Sequence, residues 1–145
     1  YFWVYLIVYI QINNMVNKLD KILAEISAGE LIDKITILEI KKDKISDKNK
    51  LIDVEKELSS LNQTMKKFIP NDEKIITHKN DLIEINSKLW DLEISKRAAE
   101  KNGKFGEHFI SDARNVYKLN DRRAASKLAI NNILGSNIKE VKSHE

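Results

Sequence analysis

The sequence predicts an all-α fold, a bundle of about four helices built around an antiparallel helical hairpin. Three observations carry this. Four Gly and one Pro in 145 residues leave little turn chemistry, so a chain rich in Lys, Glu, Ile, Leu and Asn reads as long helices with few connections. Apolar residues recur at spacings of three and four over long stretches. Ser, Asp and Gly stand where those periods begin and end. With 42% apolar and 32% charged residues, the makeup is that of one compact domain.

The chain opens on "YFWVYLIVYI", ten apolar or aromatic residues. A spanning helix needs about twenty, and a signal peptide needs a basic start and a small-residue cleavage site, so neither pattern is met. Residues 1–20 therefore read as an N-terminal extension outside a single helical domain of residues 21–145, with Met15 as the natural start. A membrane-surface segment is the alternative, but the basic polar face of an interfacial helix is missing.

"KILAEIS", Lys21 to Ser27, alternates with a period of two and suits a short strand. Ser27 then begins a helix, with Glu30 completing a capping box and Ile26 and Leu31 in the staple positions. This first helix should run to about Ile45, where Ser46 and Asp47 predict a break. Leu31, Ile35 and Leu38 form one apolar row on it, while Ile37 and Ile40 point elsewhere, so two contact surfaces are needed. A further helix of the same chain or a second subunit would supply the other.

The second helix carries Leu51, Val54, Leu58, Leu61, Met65 and Phe68, a heptad seam of the coiled-coil kind. Pro70 ends it. Asn71 or Asp72 caps a third helix with Ile75, Leu82, Ile85, Leu89 and Leu92 in its main row and Ile76, Ile83 and Trp90 beside it. The short linker predicts that these two helices pair as the antiparallel hairpin. Gly103 and Gly106 punctuate the next connection. A fourth helix follows on Phe109, Ala113, Val116, Tyr117, Ala124 and Leu128, ending at Gly135. "NIKEVK" near the end reads as a second short strand.

The formal charge of +3 comes from 25 basic and 22 acidic side chains mixed along the chain. Nucleic-acid binding would require the bases to cluster on one face with interleaved aromatics, so no nucleic acid is expected. Without cysteine there is neither a disulfide framework nor a zinc–thiolate site, and a cytoplasmic location is the default. His78, His108 and His144 lie far apart and no His-Glu-x-x-His occurs, so neither metal nor other cofactor is expected. His108 and Asp112 share a helix face at i, i+4, a spacing that reads as a surface hydrogen bond. "GKFG" lacks the length and the following Lys-Ser or Lys-Thr of a phosphate loop.

The blocks "GELIDKITILEIKKDKI" and "FGEHFISDARNVYKLNDRRAASKLAINNILGS" resemble a bacterial family of small proteins known only as a domain of unknown function. The resemblance implies a mostly helical protein with no established activity, whose relatives sometimes sit beside or fused to glycosyltransferases. It supplies no catalytic residues.

One polar feature stands out. Asn120, Arg123, Lys127 and Asn131 follow at spacings of three, four and four beside the row of Tyr117, Ala124 and Leu128. On the first helix, Glu30, Asp33 or Lys34, Ile37 and Lys41 do the same. If the stripes face each other, Glu30 and Asp33 neutralise Arg123 and Lys127 inside the fold. In the alternative, Arg122, Arg123 and Lys127 grip a phosphate or carboxylate with Tyr117 or Trp90 stacking beside it. Two functions correspond to these readings. The first is a self-associating interaction or accessory module, a homo-oligomer with a further protein partner, tied by the resemblance to surface-saccharide systems. The second is a small helical enzyme or binding protein for an anionic small molecule, whose mark would be uncompensated cations in a pocket.

Overall fold

The computed structural model describes residues 21–143. Tyr1 to Asp20, and with them the expected extension and the Met15 start, lie outside the described residues, as does His144. Four helices follow in order: α1 (Ala28–Lys44), α2 (Lys48–Phe68), α3 (Glu73–Lys101) and α4 (Glu107–Leu134).

Their ends are set by the side chains that the sequence offers. The Ser27 hydroxyl accepts from the Glu30 N–H at 3.1 Å and starts α1. Asp47 accepts from the N–H groups of Asn49 and Lys50, and Asp72 from those of Lys74 and Ile75, so α2 and α3 begin on carboxylate caps. α4 closes on Gly135, whose φ of 62° is the left-handed conformation that an L side chain resists.

α1 is the axis of the molecule and packs against all three other helices. On one side Leu31, Ile35 and Leu38 meet Val54 and Leu58 of α2. On another, Ile32 meets Ile75 and Leu82 of α3 and Ile130 of α4. Of the two residues that point away from the α2 row, Ile40 is buried and Ile37 half-buried, so the chain itself covers only part of that second surface. The widest interface joins α3 and α4. They run antiparallel, since Leu82 shares a cluster with Ile130 while Ser95 bonds Asp112.

The expected pairing of α2 with α3 is not formed: among the described helices, α2 packs on α1 alone. The α1 rows explain the difference, because Leu31, Ile35 and Leu38 take up the α2 seam before α3 can. Ile69, just before Pro70, packs against both clusters and turns the chain from one side of α1 to the other. Neither expected strand is formed either. Residues 21–27 and 137–142 have no regular structure, and Ile22 and Leu23 are exposed. With no third strand or covering helix, such a pair would be marginal in water. Side chains hold the tail instead: Asn137 donates to Glu25 at 2.7 Å, Lys139 donates to Asn132 at 2.9 Å, and Lys142 pairs with Asp121.

Candidate functional site

The two polar stripes face each other across α1 and α4. Asp33, fully buried, accepts from Arg123 twice, Nε to Oδ1 at 2.8 Å and Nη2 to Oδ2 at 2.5 Å. This fork geometry is the strongest form of a charged hydrogen bond. Asn86 of α3 donates one amide group to both Asp33 Oδ1 and Thr36 Oγ1, each at 2.9 Å. The Thr36 hydroxyl donates to the Asp33 carbonyl at 2.7 Å. Three helices are therefore pinned at one buried carboxylate. The hydrogen bonds to Asp33 hold the Arg123 guanidinium above the ordinary arginine range, outweighing the opposing effect of burial.

One turn further along α4, the Lys127 ammonium reaches Glu30 at 2.7 Å and also meets Glu140 of the tail. Burial alone would depress this ammonium, but its hydrogen bonds to Glu140 and Glu30 raise it above the ordinary lysine value. Next, Asn131 accepts from the Gly29 N–H at 2.7 Å, and Ser136 accepts from the Ala28 N–H at 3.1 Å. Gly29 is required by contact rather than by φ. A Cβ placed there would lie 2.4 Å from the Lys127 carbonyl oxygen.

Asp33 with Arg123 and Glu30 with Lys127 are therefore brought together. The remaining candidates lie elsewhere. Lys34 turns to Glu57 of α2 at 3.7 Å. Tyr117 and Arg122 are exposed and Asn120 is half-buried. Trp90 does join Arg123, in an apolar groove of about 470 Å³ between α1 and α3 whose walls are Ile37, Ile40, Leu89 and Ile94.

The sequence reading missed Asn86, Thr36, Glu140 and the Ser95–Asp112 pair. Asn86 had a signal, as a polar residue at spacings of four and three between Leu82 and Leu89. Thr36 and Glu140 had none, since a helix-facing Thr and an acid in an irregular tail are common. Among the described residues, no group of three His, Cys, Asp or Glu could hold a metal ion. No described helix is long and apolar enough to cross a membrane.

Residues 22–145 match the family of unknown function designated DUF6165. The chain belongs to the DUF6165 family. That is the kind of family, without an assigned activity, that its two motif blocks resemble. No curated protein and no solved structure matches this DUF6165 chain. Half-buried Arg123 and buried Lys127 are both neutralised by carboxylates of α1, so the stripe joins the helices of this DUF6165 domain.

Proposed function

We propose that this DUF6165 chain is a self-associating helical interaction module, in which α3 pairs antiparallel with α3 of a second copy about a two-fold axis near Ile94. The apolar groove between α1 and α3 carries this reading. Ile94 on its wall is 56% exposed, beside Trp90, Leu89 and Ile37. Contiguous open apolar surface of this kind marks an interaction site.

Charge favours a second copy as the occupant. On the wall of this groove Glu93 precedes Ile94 and Arg97 follows it. Antiparallel pairing sets Glu93 of one copy beside Arg97 of the other, twice, as a two-fold axis requires. As an accessory module it would serve a larger cytoplasmic assembly, for which the family resemblance implies surface-saccharide enzymes.

Light scattering of the full chain at micromolar concentration should give the mass of a dimer. Ile94→Glu should give a folded monomer. Arg97→Glu should weaken the dimer, and adding Glu93→Arg should restore it, because only self-pairing makes the exchange complementary again. A monomeric unsubstituted protein, or no rescue by the exchange, would overturn the proposal.

A further inference from the structure

A different face of α3 carries a second concavity, independent of the proposed dimer. This groove, of about 670 Å³, runs between α3 and α4. Leu92 and Leu119 give it an apolar lining, and Lys118 and Arg122 stand on one wall, one helical turn apart. Like charges at that spacing repel each other. Among the described residues neither has a carboxylate within salt-bridge distance, whereas the adjacent Arg123 and Lys127 are both paired. Two other charges lining the groove are already spent: Lys88 on Glu84 at 2.5 Å and Asp91 on Lys44 at 2.8 Å.

Asp112 lies further along the same groove, and although it lines the groove it is only 7% exposed. The Ser95 hydroxyl donates to its Oδ2 at 2.5 Å, and His108 Nδ1 stands 3.2 Å from the same oxygen. Both neighbours use Oδ2, which leaves Oδ1 to accept from something else. From Asp112, Lys118 is about 9 Å along the helix and Arg122 about 15 Å. Asn115, which can donate and accept, lies between.

We infer that the groove binds a small phosphorylated polyhydroxy compound of the sugar-phosphate class. Its phosphate is held by Lys118 and Arg122, and its hydroxyl groups donate to Asp112. The two unpaired cations supply the charge-assisted contacts that a phosphate needs. An acidic acceptor at the other end repels a second anion and selects a hydroxyl donor, so one groove reads both halves of the ligand.

The test is calorimetric titration of the full chain with glucose-6-phosphate, glucose and inorganic phosphate. Glucose-6-phosphate should bind about tenfold or more tightly than inorganic phosphate. The double variant Lys118→Gln/Arg122→Gln should lose this binding while its melting temperature holds or rises, since a repulsion has been removed. Asp112→Asn should bring glucose-6-phosphate down to the level of inorganic phosphate, and Arg97→Gln, on the other face of α3, should leave binding intact. Failure of glucose-6-phosphate to bind, unchanged binding in the double variant, or a sharp fall in its melting temperature would overturn the inference. So would binding to phosphatidylglycerol vesicles in place of the soluble compound. Because none of these substitutions except the Arg97 control touches the proposed dimer surface, loss of one activity leaves the other standing.

Discussion

At the scale of single residues, the buried carboxylate of Asp33 decides more than any other group. Its charge is balanced by one guanidinium and oriented by one amide, so removing either partner leaves it short of donors where water cannot help. Arg123→Ala should lower stability, read from chemical denaturation, by less than the roughly 3 to 5 kcal/mol of a fully buried pair, because Arg123 reaches the open groove. The double variant Asp33→Leu/Arg123→Met should be more stable than that single variant, because an apolar pair avoids the desolvation that an ion pair must offset. Lys127 gives a pH signature instead. Its folded-state value is raised above the ordinary 10.5. Its contribution is therefore complete below that pH and is withdrawn as the pH climbs through the folded value. Melting temperatures taken in alkaline buffers should fall more steeply for the unsubstituted protein than for Lys127→Met.

At the scale of elements, the helix termini were legible because capping is local chemistry: Ser27, Asp47, Asp72 and Gly135 each act within a few residues of chain. The partners of the helices were not legible. α2 and α3 have matching three-four periods and a short linker, and nothing in either says that α1 stands between them. The signal was in α1 itself, whose apolar residues wrap its circumference, a pattern that fits a central helix better than an edge one. For the same reason the Glu30 and Asp33 pairings were readable as facing stripes, while Asn86, from a third element, was not assigned. Gly29 shows how tightly α1 meets α4. Alanine is the better helix former by up to about 1 kcal/mol. Gly29→Ala should nonetheless lower the melting temperature, because forcing apart a closely packed contact costs about 1 to 3 kcal/mol. A rise would show that α1 can shift freely at its N-terminus.

At the scale of the whole molecule, the four helices are unequal partners. Among the described helices α2 packs on α1 alone and buries just Val54 and Leu58, whereas α1, α3 and α4 share Asp33 and the side chains bonded to it. Amide hydrogen exchange should find α2 opening well before the other three, as weakly held units do. Equal protection across all four would show that α2 belongs to the same cooperative unit. The 90-residue separation between Asp33 and Arg123 has a further consequence, for the order of synthesis. Of the four described helices the central one is made first, and the side chain that neutralises its buried charge follows 90 residues later. While the ribosome is still extending α3, α1 can bind α2 on one side, but its other side keeps an unanswered carboxylate that belongs in water. The core therefore cannot close progressively behind the translating ribosome. It closes when α4 emerges, so a chain terminated after Lys101 should be left with its central helix unsealed, a ready substrate for quality-control proteolysis.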